Sequence, residues 1–148
     1  MNKTLVVVPC GKAKVWEKNR RAGPTRAEDA YIGAPFKVNK SYAKAVGKRW
    51  VILSAKYGYI DPDFKIRGPY NVTFNDLKTT PISHPKLRRQ VISKRLYQYR
   101  RVIALGGLQY REAVKATFPT SKVRLFFPTA GLPVGKAMSK LKRLGGTT

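Results

Sequence analysis

Acidic residues are scarce in this chain. Only 7 Asp and Glu stand against 31 Lys and Arg in 148 residues, for a formal net charge of +24. Such self-repulsion costs stability, so it fits a protein whose counter-charge comes from a polyanion. Nucleic acid is the first candidate, because phosphates attract cations independently of sequence. Cysteine and histidine are scarcer still, with one each. A lone Cys10 excludes an internal disulfide, and one Cys with one His cannot build a tetrahedral zinc site from protein ligands. No metal and no cofactor are expected. The apolar run in MNKTLVVVP is too short for a signal peptide or a spanning helix, and no basic amphipathic helix carries a strong aromatic face. The expectation is a cytoplasmic protein with no membrane partner. No repeat or linker interrupts the chain, so it reads as one α/β unit over residues 1–144 with a disordered tail at 145–148.

What is present is an alternation. Four β-branched or apolar runs, Thr4–Pro9, Trp50–Ser54, Arg101–Leu105 and Val123–Pro128, read as strands buried on both faces. Helical periodicity lies between them. Val38, Tyr42, Ala45 and Val46 share a face, as do Leu87, Val91, Ile92 and Leu96, and then Tyr110, Ala113, Val114, Thr117 and Phe118. A last helix carries Val134, Met138 and Leu141. Strands alternating with helices predict a three-layer α/β domain with a mostly parallel central sheet of about four to five strands.

Ligands of open α/β sheets bind beyond the carboxyl ends of the strands. The four strands run into Cys10–Lys14, Ala55–Gly58, Gly106–Gly107 and Thr129–Gly131, which should share one rim. Glycine lets backbone approach a ligand and lysine adds charge, so the rim suits a phosphate. The spacing of a P-loop is absent around Gly11-Lys12. Glycines required only by tight turns remain the alternative for any one loop.

Several residues carry chemistry. Cys10 precedes a glycine and two nearby lysines, a setting for a reactive thiol if exposed and an inert one if buried. Glu28, Asp29, Asp61 and Asp63 are assigned to loops, whereas Asp76 and Glu112 read as solvated charges. Asp61-Pro62-Asp63 is either a plain turn or a carboxylate returned to the groove beside Lys56 and Lys14 for proton transfer. His84 reads as a helix start with Ser83 as cap and Pro85 in the first turn. Tyr57, Tyr59, Tyr70, Phe64 and Phe74 exceed what a turn needs, and some could stack on a base.

The segments Val8–Lys14, Ala27–Phe36, Leu53–Asp63 and Pro69–Thr73 together resemble, in order, the motifs of a family related to the YaaA peroxide-stress proteins. In that pattern the second strand ends in Leu-Ser-Ala-Lys-His/Tyr-Gly, then Asp-Pro, then Pro-Tyr-Asp. Asn71 stands here where Asp is common. The Pro9-Cys10-x-x-x-Lys14 spacing is also similar to a motif of archaeosine synthase, which continues with Pro-Tyr where this chain has Val15-Trp16. The resemblance implies nucleic acid as the partner, DNA ahead of RNA. It also implies either a base-releasing or base-modifying enzyme or a non-catalytic DNA-binding or DNA-protecting module. A small-molecule nucleotide enzyme would not need a charge of +24. The expected site has Lys56, Asp61, Asp63 and Cys10 as catalytic candidates, with Lys12, Lys14, Tyr57, Gly58, Tyr70, Asn71, Gly106 and Gly107 in contact with nucleic acid.

Overall fold

The computed structural model describes residues 3–145. The β-branched run Thr4–Pro9 forms β1, with its first five residues buried, as befits a strand covered on both faces. A 3-10 turn at Val15–Glu17 leads to β2 (Thr25–Arg26), α1 (Ala27–Ala30) and α2 (Ala34–Val46). Then come β3 (Arg49–Ser54), β4 (Gly58–Ile60), β5 (Lys65–Ile66), a 3-10 turn at Leu77–Thr79, α3 (His84–Ser93) and another such turn at Leu96–Gln98. The chain finishes with β6 (Arg101–Ala104), α4 (Leu108–Thr117), β7 (Arg124–Phe126) and α5 (Val134–Leu144).

The central sheet has five strands in the order β4-β3-β1-β6-β7, of which β3, β1, β6 and β7 run parallel. The mixed α/β fold with a mostly parallel sheet is therefore the one the alternating pattern predicts. Alternate side chains of β1 feed two cores. Val6 and Val8 pack with Phe36, Tyr42 and Ala43 of α2 and Leu141 of α5. Leu5 and Val7 pack with Leu87 and Val91 of α3 and Ala113 and Val114 of α4. Each such buried Val, Leu or Phe side chain contributes about 1.5–3 kcal/mol, which is how a period-two strand holds three layers together.

Three details depart from the sequence reading. The edge strand β4 runs antiparallel to β3, and β2 and β5 form a separate two-stranded antiparallel ribbon. Elements of two or three residues are too short to carry a periodicity. The faces of the helices are also narrower than expected. Ala45 is exposed and α2 buries Phe36 and Ala43 beside Tyr42, while Ile92 and Val134 are exposed. The predicted cap of α3 holds: the Ser83 hydroxyl accepts from the Lys86 amide at 3.4 Å, with Pro85 in the first turn. Gly145, placed by the sequence in the tail, is the C-cap of α5 and donates to Leu141 O at 2.8 Å, and residues 146–148 lie outside the described residues. Among the described residues no helix is long and apolar enough to cross a membrane.

The crossover after β1 runs through α2 and packs on one face, while the one after β6 runs through α4 and packs on the other. Neighbouring strands thus send the chain in opposite directions, which opens a crevice at their carboxyl ends.

Candidate functional site: a basic groove along the strand ends

Because β3, β1, β6 and β7 are parallel, the loops Cys10–Lys14, Ala55–Gly58, Gly106–Gly107 and Thr129–Gly131 share one rim. The first loop is pinned by the Ile32 amide, which donates to Ala13 O at 3.1 Å, and by the Lys14 amide, which donates to the Glu17 carboxylate at 2.6 Å. Three concavities adjoin there. One of about 380 Å³ lies among Cys10, Lys12, Lys14, Asn71, Thr73 and Tyr110. It shares Lys12, Lys14 and Asn71 with a shallower groove of about 650 Å³ that adds Trp16, Glu17, Arg20, Pro69 and Tyr70. It shares Cys10 and Tyr110 with a third, of about 430 Å³, at the crevice between β1 and β6.

Tyr70 is the hub of this surface. Its hydroxyl hydrogen-bonds to that of Tyr31 and lies 3.1 Å from Ser54 Oγ. Ser54, fully buried at the end of β3, also accepts from the amides of Lys56 and Tyr57, each at 3.1 Å. A serine side chain bonding backbone two and three residues on is what turns the strand into its loop. The turn delivers charge to an aromatic face. Lys14 Nζ lies 4.6 Å from the centre of the Tyr70 ring, and Lys56 Nζ lies 5.5 Å from it and 5.2 Å from that of Tyr57. Two ammonium groups are thereby held on one ring by the quadrupole attraction. Tyr57 meets Tyr70 edge-on at 5.5 Å.

Burial lowers the pKa of Lys14, an effect opposed by the neighbouring Cys10 and Glu17. Burial likewise pushes the tyrosines up, reinforced at Tyr31 by Tyr70 and Cys10, and at Tyr70 and Tyr110 by Cys10. Their hydroxyls thus stay protonated and able to donate. The half-exposed Cys10 thiol lies 3.3 Å from the Tyr110 hydroxyl, at the junction of two concavities.

Cys10, Lys12, Lys14, Lys56, Tyr57, Tyr70 and Asn71 therefore gather on one surface, with Gly106 and Gly107 at its far end. Glu17 also lines the groove, but the expected acids Asp61 and Asp63 do not join them. Since β4 runs back along β3, Asp61 follows the Ile52–Ile60 pair toward the starting end of β3 and bonds Arg49 at 2.9 Å. Asp63 is exposed in the turn that Phe64 N closes on Asp61 O at 3.0 Å. The expected return of a carboxylate beside Lys56 is corrected on this point. Glu28 and Asp29 lie on α1 rather than in a loop, and Glu28 is paired with Lys40 at 2.9 Å and Arg26 at 2.6 Å. Asp76 caps the turn at Leu77–Thr79 by accepting from the Lys78 amide at 3.0 Å.

Gly58 is also corrected. It is buried with φ +82, and a Cβ there would sit 2.1 Å from Gln90 Oε1. The glycine admits the Gln90 amide, which bridges Tyr57 O at 3.0 Å and the Tyr59 amide at 2.8 Å, so its backbone faces protein rather than a ligand. The sequence reading also missed Ser54, Tyr31 and Tyr110. Ser54 was legible as a hydroxyl at a strand end, whereas Tyr31 and Tyr110 reach the site only through tertiary packing.

The chain belongs to the family of unknown function DUF6884, whose model matches residues 5–143. It is similar to the uncharacterized protein YfjM of Bacillus subtilis (strain 168), with 40% identity over 114 residues that cover 77% of this chain and 76% of the relative. No solved structure matches it.

Proposed function

We propose that this protein binds nucleic acid, DNA ahead of RNA, along the groove from Trp16 and Arg20 past Lys12 and Lys14 to Cys10. The observation that carries the reading is the convergence of Lys14 and Lys56 on the Tyr70 ring, at 4.6 and 5.5 Å, beside that groove. Cations fixed on an aromatic surface meet a phosphate backbone and offer faces to bases at little cost in side-chain freedom. The net charge of +24 and the resemblance to the YaaA family support the same partner, and a cytoplasmic location goes with it.

Fluorescence anisotropy with labelled single- and double-stranded DNA and RNA tests this. Affinity should fall on the order of a hundredfold between about 50 and 200 mM salt if about six phosphates are met. Lys12→Ala with Lys14→Ala should flatten the salt dependence by about two in slope. A response indifferent to salt overturns the reading.

A second reading, release of a nucleobase, is favoured by the half-buried Lys14 beside Cys10. A lysine with lowered pKa has more neutral amine available as a nucleophile. Its attack on the sugar carbon breaks the N-glycosidic bond, the base leaves with a proton, and the sugar stays on the protein as a Schiff base. Borohydride trapping, together with mass spectrometry of released bases, separates this reading from simple binding.

A further inference from the structure

We infer that the crevice between α4 and α5, where the chain leaves β1 and β6 in opposite directions, binds a phosphate monoester carried by a nucleotide. The ligand is a free nucleoside monophosphate or the phosphorylated end of a strand. The nucleotide part rests on the nucleic-acid reading above. The phosphate part rests on the crevice itself.

The cavity is about 430 Å³, within the ~300–1,000 Å³ of small-molecule pockets. Its polar wall offers donors and no carboxylate. Residues from the first turns of three helices line it, Pro35 of α2, Leu108 of α4 and Val134 of α5, and none of these helices has a side-chain cap. Pro35 has no N–H, so the first amides that count here are those of α4 and α5, which lack intrahelical partners and whose dipoles carry positive charge toward an anion. Gly106, with φ +110, lets the turn close against Pro9, where a Cβ would meet Cγ at 2.8 Å, and so starts α4 in the crevice.

An independent observation points to a ligand. Thr129 is 7% exposed and lines the cavity, and its hydroxyl, which bonds no other described residue, is open to that cavity, since no buried side-chain oxygen among the described residues lacks a partner. Beside it Arg111 donates from Nε to Gly106 O at 3.3 Å, which fixes the guanidinium at the cavity and leaves its terminal amino groups for a phosphate. A hydroxyl open to the cavity, a fixed guanidinium and uncapped amides make one set of donors. Leu132 and Met138 also line it and supply apolar surface for a sugar or base, and Cys10 joins this cavity to the basic groove.

Gly107 makes the test clean. A Cβ there meets nothing within 4 Å, and its φ of −74 and ψ of 179 suit an N-cap aspartate. Gly107→Asp should therefore stabilise α4 while repelling an anion. Calorimetric titration uses the four nucleoside monophosphates, their nucleosides and inorganic phosphate. The wild type should bind a monophosphate at least ~10-fold more tightly than its nucleoside or inorganic phosphate. Gly107→Asp should weaken this at least ~10-fold with no fall in melting temperature, Gly107→Asn should weaken it less, and Thr129→Val should weaken it as well. Oligonucleotides with 5′-phosphate and 5′-hydroxyl ends identify the source: preference for the phosphorylated strand assigns a strand end, and equal affinity assigns the free nucleotide.

Nucleoside or inorganic phosphate binding as well as the monophosphate overturns the proposal. So does equal monophosphate affinity in Gly107→Asp and Gly107→Asn. Salt-sensitive DNA binding with no affinity for any monophosphate or end phosphate overturns the crevice alone. Monophosphate binding without DNA binding overturns the groove alone.

Discussion

The Arg49 guanidinium donates to the Asp61 carboxylate at 2.9 Å, where β3 begins. Lys56 follows the other end of that strand. This half-exposed pair is structural, and such pairs contribute up to about 1 kcal/mol. Asp61→Asn should lower stability by no more than that in urea denaturation and leave nucleic-acid affinity and any base release at wild-type levels. A loss of turnover with binding intact would return Asp61 to the site.

Ser54→Ala should be more damaging than its size suggests. It removes the oxygen that accepts from the amides of Lys56 and Tyr57 and the hydroxyl that pairs with that of Tyr70, in a place with no solvent to replace it. Orphaning buried donors costs about 1–3 kcal/mol. The urea midpoint should fall accordingly, and DNA affinity should fall with it, because Lys56 and Tyr70 lose their common anchor.

Gly58→Ala combines a strained φ of +82 with a clash at Gln90. Strain of this kind costs about 1–3 kcal/mol, and the displaced Gln90 amide forfeits its bonds to Tyr57 and Tyr59. Adding Gln90→Ala should relieve the clash but not the backbone, so the double variant should be less stable than the wild type by chemical denaturation.

Acid should weaken the protein through Glu28. Its bond to Lys40 holds its pKa below the usual carboxylate value, and the charges of Lys40, Arg26 and Lys44 act in the same direction. A depressed pKa contributes stability that is present above the unfolded-state value, near pH 4.3, and is lost as pH falls through the folded one. Unfolding midpoints should drop in that window, and the drop should be smaller in Glu28→Gln.

Much of the frame is written in local pattern. The runs at Thr4–Pro9 and Arg101–Ala104 are apolar because both sheet faces are covered, and a covered strand needs no distant information to look like one. Helices between such strands enforce a parallel sheet, which in turn puts the four glycine-bearing loops on one rim. The excess of lysine and arginine is equally legible, as is the Ser83 cap.

Which of those residues meet was decided only by the folded chain. Tyr31 and Tyr70 are 39 positions apart and Cys10 and Tyr110 are 100 apart, and no periodicity encodes a contact between side chains on different elements. The short turn after Ser54 made β4 an antiparallel edge strand and carried Asp61 away from the lysines it follows in sequence. The close approach of Gln90 fixed what Gly58 is for. Strand and helix patterns report how each segment meets the core, so they reveal layers and the rim. A site is a convergence of loops, and it exists only once strand direction and packing have set where each loop returns.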